Sequence, residues 1–261
     1  MSDEILLERR DHIATIVFNR PHVRNAFNLA MWTALPGVIE SLTGDPAVRC
    51  IVVRGAGEEA FASGADISEF KEQRKDRATA EAYNKRTDAA YRALEACPKP
   101  TVAMIYGFCM GGAVAMALAC DLRFTADTGK FAIPAARLGI VYGLRSVKRL
   151  VSLVGPAVAK DILFSARTLD AAEALRIGFV NRVLPVGELA AHTYEYLAKV
   201  ADNAPLSVQG AKLIVEAVDE DGGVARQPEI ARLQISAFES EDYREGTAAF
   251  MEKRRPKFQG R

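Results

Sequence analysis

Ile105-Tyr106-Gly107-Phe108-Cys109-Met110-Gly111-Gly112-Ala113-Val114-Ala115-Met116-Ala117-Leu118-Ala119-Cys120-Asp121 is the stretch whose reading decides the fold. The apolar run from Thr101 to Tyr106 breaks at Gly107, and the pair Gly111-Gly112 then opens an alanine-rich apolar segment. This pattern predicts a buried strand feeding directly into a buried helix. The first N–H groups of such a helix have no intrahelical partner, and the helix dipole adds partial positive charge there. Glycine at the junction lets a ligand approach the backbone with no Cβ in the way. The junction thus offers donors to an oxyanion, although a tightly packed structural helix start has the same composition.

A second segment has the same character. Phe61-Ala62-Ser63-Gly64-Ala65-Asp66-Ile67-Ser68-Glu69-Phe70 follows another apolar run, Cys50 to Val53, and a glycine-containing turn. Asp66 with Glu69 three residues later fits a capping box, which predicts a helix from Asp66 and leaves the Ala65 N–H at its mouth. Two small-residue helix starts, each behind a buried strand, are the components of a two-donor oxyanion hole. Two ordinary strand-to-helix turns explain the residues equally well.

Composition narrows the class. A chain of 261 residues buries roughly three quarters of its unfolded surface, enough for one large core. With 34 basic against 33 acidic side chains, there is no electrostatic footprint for nucleic acid or an anionic membrane. The longest uncharged stretch, Thr101 to Cys120, is broken by three glycines and does not suit a spanning helix. The acidic start, Met1-Ser2-Asp3-Glu4, lacks the order of a signal peptide. Cys50, Cys97, Cys109 and Cys120 show no metal spacing and read as reduced residues of a cytoplasmic protein. His12, His22 and His192 neighbour no motif glycine, no serine sits in a nucleophile elbow, and Trp32 reads as core; no metal is implied.

The order of elements is mixed. Ile5 to Arg9 and Ile13 to Phe18 read as strands around the turn Arg10-Asp11-His12, Leu29 to Leu42 as a helix, and Arg49 to Arg54 as a strand. Ala78 to Ala96 reads as a long helix ended by Pro98, and Val151 onward as mostly helical with an apolar break at Phe179 to Leu184. This alternation predicts an α/β core.

At this point the chain resembles the crotonase superfamily, also called the enoyl-CoA hydratase/isomerase family, along essentially its whole length. The matching pieces are Phe18-Asn19-Arg20-Pro21 with Asn25-Ala26-Phe27-Asn28, then Phe61 to Asp66, then Gly107 to Asp121. They continue with Ala171-Ala172-Glu173-Ala174-Leu175-Arg176-Ile177-Gly178-Phe179-Val180 and end with Glu245-Gly246 to Phe258. The resemblance implies a spiral of ββα repeats with a C-terminal helical segment that docks on neighbouring subunits. That divides the chain into a core with the CoA-thioester site, 1–190, and a segment for oligomerisation and CoA contact, 191–261. The assembly implied is a homotrimer or a dimer of trimers. The substrate implied is an acyl-CoA thioester, with coenzyme A as part of the substrate rather than a separate cofactor.

Carried over by motif, the thioester oxygen would sit between the N–H groups of Ala65 and Gly112. The backbone around Ala26, Ala62, Asp66 and Ile67 would cradle the adenine and pantetheine, Arg24 would contact a phosphate, and Phe250 and Lys253 would reach a CoA. The stretch Phe70 to Cys97 would supply pocket walls. Lys253 reads otherwise as part of a solvated basic tail, Lys253-Arg254-Arg255-Pro256-Lys257.

The departures from the family pattern carry the functional question. A typical hydratase holds and activates its water with two glutamates. Here the first position is Ala115 and the second is Ala135, in Ile133-Pro134-Ala135-Ala136-Arg137-Leu138-Gly139. Alanine neither holds a water nor carries a proton, which argues against hydration by the usual route and weakens isomerisation equally. Tyr142 stands where relatives resembling methylmalonyl-CoA decarboxylase carry a tyrosine; it reads as a proton donor or, equally, as a packed phenol. Arg137 and Arg145 flank it, and Glu69 reads as the capping partner of Asp66. Three readings stay open: a decarboxylase or other carbon–carbon lyase working through a thioester enolate, an enoyl-CoA hydratase or isomerase with a non-standard acid, and a non-catalytic CoA-thioester binder.

Overall fold

In the computed structural model, which describes residues 3–221 and 223–261, successive turns of the chain lay one strand into each of two sheets. β1 (Ile5–Arg10) and β2 (Ile13–Phe18) form the expected antiparallel hairpin, with Asp11 in the left-handed region at φ 51°. α1 (Leu29–Gly44) follows, its first turn capped by the Asn28 side chain. The repeating unit then appears three times. β3 (Cys50–Gly55) and β4 (Ala60–Ala62) precede α2 (Phe70–Gln73) and α3 (Arg77–Glu95). β5 (Thr101–Ile105) and β6 (Phe108–Met110) precede α4 (Gly112–Ala119), and β7 (Leu122–Ala126) and β8 (Lys130–Ala132) precede α5 (Leu144–Ser165). β9 (Leu169–Asp170), α6 (Ala171–Arg176) and β10 (Arg182–Leu184) close the spiral. α7 (Val186–Ala201), α8 (Pro205–Asp221), α9 (Gln227–Glu239) and α10 (Glu241–Met251) complete the chain. The mixed α/β class and the spiral of ββα repeats are thus as expected.

The larger sheet runs β1-β2-β3-β5-β7-β10, parallel throughout except for the first hairpin, and the smaller runs β4-β6-β8-β9. Parallel strands covered on both faces read as continuous apolar runs, which is why Cys50 to Val53 and Thr101 to Ile105 show no polar alternation. Period-two geometry still sorts them. Ile51, Val53, Ala103 and Ile105 enter the main core with α1, α3 and α4, whereas Cys50, Val52, Val102 and Met104 pack against Leu189 and Leu197 of α7. α7 therefore spans residues 190 and 191 and covers the outer face of the main sheet.

One local expectation needs correction. β5 does not feed directly into α4, because β6 lies between them and belongs to the other sheet. The chain crosses between the sheets at Gly107, φ 51°, where a Cβ would stand 1.9 Å from the Glu59 carbonyl oxygen. Only glycine passes there. A strand of three residues is too short to register in a hydrophobic pattern. Among the described residues no helix is long and apolar enough to cross a membrane.

Candidate active site

The site grows from two backbone segments held side by side. Ala65 pairs with Phe27 as an isolated parallel bridge, entered from Gly64 at φ 98°: the Phe27 N–H donates to the Gly64 carbonyl at 2.8 Å, and the Asp66 N–H donates to the Phe27 carbonyl at 2.8 Å. In a parallel bridge the flanking groups of the bridged residue face the partner and its own N–H faces the other edge. Ala65 therefore presents its N–H away from Phe27, and no acceptor meets it among the described residues. The second segment is the start of α4. Gly111 precedes it at φ 53° and spends its own N–H on the Ala132 carbonyl at 2.8 Å. Gly112, the first helical residue, has an N–H that no carbonyl accepts, as expected of a helix N-terminus.

Built positions show how close these segments come. A methyl on Gly112 would lie 3.7 Å from the Ala65 nitrogen, 3.5 Å from the Trp32 ring and 3.2 Å from the Tyr91 hydroxyl. One on Gly64 would lie 3.4 Å from the Gly112 nitrogen and 2.7 Å from the Met110 carbonyl oxygen. Both amides border one small space at the inner end of a cleft of about 1040 Å³, whose lining includes Ala65, Gly112 and Tyr142.

The Asn-Arg-Pro and Asn-Ala-Phe-Asn pieces act as scaffold for this arrangement. Asn25, buried and at φ 55°, donates to the carbonyls of Ala56 and Ala60 and accepts from the Arg20 N–H. Arg20 in turn donates to the Ala26 carbonyl and the Asp66 carboxylate, each at 2.8 Å. Burial works against the Asp66 charge, but hydrogen bonds from Ser68 and Arg20 outweigh it and hold the carboxyl below its usual range. Phe27 stacks on Trp32 and meets Phe18 edge-on, contacts worth about 0.5–1.5 kcal/mol each beyond the area buried.

Asp66 does cap a helix start, a short 3-10 turn at Ile67–Glu69, but the expected capping box with Glu69 does not form. Asp66 accepts from Ser68 instead, and the Glu69 carboxylate accepts the Leu29 N–H at 2.8 Å, serving the start of α1. Tertiary contact offered Glu69 a better orphan donor than its own turn.

The other expected site residues fall into two groups. Ile67, 59% exposed, borders the cleft. Ala26 and Ala62 are buried and do not line the cleft. Arg24, left-handed at φ 52°, donates to Glu59 at 2.7 Å and lies over the Phe108 ring. Phe250 sits in a separate apolar hollow with Phe238 and Phe258, and Lys253 follows α10 at φ 54°; neither borders the cleft of its own chain.

Ala115 and Ala135 do border the cleft, so methyl groups occupy both places where a carboxylate pair was sought. The acids on the cleft wall are Glu81 and Asp88. Glu81 pairs with Arg77 at 2.7 Å, and Asp88 pairs with Arg92 and Arg145. Phenols dominate the inner end instead. The Tyr142 hydroxyl donates to the Gly111 carbonyl at 2.9 Å, and the Tyr91 hydroxyl donates to the Gly112 carbonyl at 3.3 Å. The Tyr83 hydroxyl accepts from the Trp32 indole at 3.0 Å. Burial raises all three phenols above the ordinary tyrosine value, so they keep their protons.

Sequence reasoning missed Tyr83, Tyr91 and the placing of Trp32. A signal was present: Tyr83, Thr87 and Tyr91 recur every fourth residue, which puts them on one face of α3. Nothing in that spacing says that the face looks onto Gly112.

The family model described as enoyl-CoA hydratase/isomerase matches residues 8–261. The short-chain-enoyl-CoA hydratase of Clostridium acetobutylicum is 34% identical over 97% of this chain and 96% of its own length. The crotonyl-CoA hydratase of Syntrophomonas wolfei is 32% identical over 98% of each. Among solved structures, an enoyl-CoA hydratase/isomerase family protein from Hyphomonas neptunium superposes with a TM-score of 0.94 at 36% identity, covering 99% of this chain and 98% of that one.

Proposed function

The chain belongs to the enoyl-CoA hydratase/isomerase family, and on that premise we propose that it processes an acyl-CoA thioester through an enolate formed by breaking a carbon–carbon bond. The observation that carries this reading is the pairing of two unpartnered amides with a carboxylate-free inner cleft. Negative charge developing on the thioester oxygen is stabilised by the Ala65 and Gly112 N–H groups, at about 3 kcal/mol per donor. A base is not needed to generate that charge when the acyl group carries its own α-carboxylate. The Cα–carboxylate bond breaks, carbon dioxide departs, and the bonding pair moves into the enolate. A buried phenol then delivers a proton to Cα, restoring the thioester, and the phenolate recovers a proton from solvent. Tyr142 and Tyr91 both lie beside the first turn of α4, where such a donor is required.

The remainder of the binding scheme belongs to the same proposal. Backbone around Ala26, Ala62, Asp66 and Ile67 cradles the adenine and pantetheine, and Arg24 exchanges Glu59 for a phosphate. Phe238, Phe250 and Met251 leave large apolar surfaces open on α9 and α10, at 65%, 82% and 79% exposure. Those surfaces suit assembly into a trimer or a pair of trimers, in which Phe250 and Lys253 reach a CoA held by a neighbouring copy.

The names of the relatives favour a second reading, enoyl-CoA hydration with an acid other than the missing glutamates. Malonyl-type thioesters and crotonyl-CoA, each incubated with the enzyme in heavy water, separate the two. Carbon dioxide release, with one deuterium at Cα of the shortened thioester, is expected. Hydration of crotonyl-CoA without decarboxylation of any malonyl-type thioester establishes the second reading instead.

A further inference from the structure

The cleft's two wall acids, Glu81 and Asp88, are paired with other arginines, and one cation on the same wall has no anionic partner among the described residues. Arg74 follows α2 and lines the cleft, half-buried, with its guanidinium 4.2 Å from the Phe70 ring centroid and 5.2 Å from that of Tyr83. Its Nε is sealed from water and has no hydrogen-bond partner, and no carboxylate pairs with it among the described residues. The contrast with its neighbours is instructive. Arg145, also on the cleft wall, is engaged by Asp88 and Glu95, while Lys85 and Lys148 are exposed to solvent. Glu69, within electrostatic reach of the same tyrosine ring, is held by the Leu29 N–H.

A guanidinium N–H that is sealed from water without an acceptor carries a desolvation cost, and an anion meeting the guanidinium offsets it. Arginine does this best with a carboxylate, whose two oxygens match its fork of N–H groups. The path from Arg74 leads inward: it lies against Tyr83, whose hydroxyl holds the Trp32 indole, and Trp32 abuts Gly112. Its charge also acts on the Tyr91 phenol beside that glycine. An acyl chain entering from the amides therefore runs toward the unpaired cation.

We propose that Arg74 binds a free carboxylate on the acyl chain, so that the cleft selects acyl-CoA thioesters of dicarboxylic acids over those ending in a methyl group. This rests on the acyl-CoA reading above but not on decarboxylation; a carboxylate too far from Cα to leave would be held in the same way.

Trp32 is the chain's single tryptophan and borders the cleft, so stopped-flow quenching of its fluorescence reports occupancy before any turnover. Three matched pairs serve as probes: malonyl- and propionyl-CoA, succinyl- and butyryl-CoA, glutaryl- and valeryl-CoA, with retention in equilibrium dialysis as a second readout. The wild type is expected to bind at least one carboxylated member about 30- to 4,000-fold more tightly than its methyl partner, the range that follows when one partner of a desolvated charge pair is removed. Arg74→Met is expected to bring that ratio near one while leaving the methyl-terminated affinity within about threefold, which also shows that the variant is folded. Arg74→Lys should retain part of the preference. Equal binding of both members of every pair by the wild type overturns the proposal, as does a preference that survives in Arg74→Met. Failure of all six thioesters to bind overturns the acyl-CoA reading itself, and this proposal with it.

Discussion

Replacing Gly112 by alanine separates the proposed chemistry from the packing around it. Gly112 is the first residue of α4 and is not in the left-handed region, so alanine fits its backbone. In a compatible conformation, glycine to alanine stabilises a protein by about 0.4–1 kcal/mol. The new methyl meets Trp32 at 3.5 Å and the Tyr91 hydroxyl at 3.2 Å, and the latter contact asks a phenol to give by a few tenths of an ångström. Stability should therefore change little, by a few degrees in Tm at most, given about 2–4 °C per kcal/mol for a chain of this size. Activity should not survive. A thioester oxygen bound by Ala65 must come within about 3 Å of its nitrogen, yet the methyl would occupy space 3.7 Å from that nitrogen. Losing the use of even one donor costs about 10²–10³ in kcat, or about 2.7–4 kcal/mol. The assay is kcat/KM on the thioester that the wild type turns over, measured beside Tm by calorimetry. Gly143→Ala provides the control, because Gly143 borders the same cleft and a Cβ there meets nothing within 4 Å. A Gly112→Ala enzyme with more than a third of wild-type kcat/KM would refute the assignment of these amides to the reaction.

The phenols, a buried arginine and the cysteines yield further tests. Tyr142→Phe and Tyr91→Phe should differ: the residue that protonates the enolate loses about 10²-fold or more in kcat, and the other much less; two unaffected variants would remove both from the mechanism. Burial raises the folded-state value of both phenols above the 10.0 of an exposed tyrosine. The native state therefore holds their protons more tightly than the unfolded chain does, and the stability this gives is complete below pH 10 and lost as pH rises beyond it. Tm measured from pH 9 to 11 should fall, and less steeply in the double phenylalanine variant. Arg123, 2% exposed, donates to the carbonyls of Phe179 and Cys120 at 2.8 and 3.0 Å; Arg123→Met strands them and should cost about 3 kcal/mol, or roughly 6–12 °C in Tm. Burial pushes the Cys50 and Cys120 thiols up to about 12 and Cys109 higher still, so iodoacetamide at pH 8 should label none of these three until the chain unfolds.

Much of the architecture was legible because its causes are local. Continuous apolar runs at Cys50 to Val53 and Thr101 to Ile105 read as strands covered on both faces, and the long helix read over Ala78 to Ala96 is found at Arg77–Glu95, before Pro98. Glycine at 111 and 112 announces a helix start open to close approach, and alanine at 115 and 135 announces that no carboxylate stands at those positions. These inferences depend on which groups a residue possesses or lacks, and chemistry of that kind is written in the chain. Partnership is not. Glu69 has the spacing for a capping box, yet it serves Leu29, forty positions away, since an orphan amide of α1 lies within reach only after folding. Arg74 and Arg145 are the same residue type in the same cleft, and packing alone leaves one paired and the other bare. Tyr91 stands on a helix face whose direction is set by how α3 lies across α4. Local propensity says what each element is; only long-range packing says whom each polar group meets, and that meeting decides the chemistry.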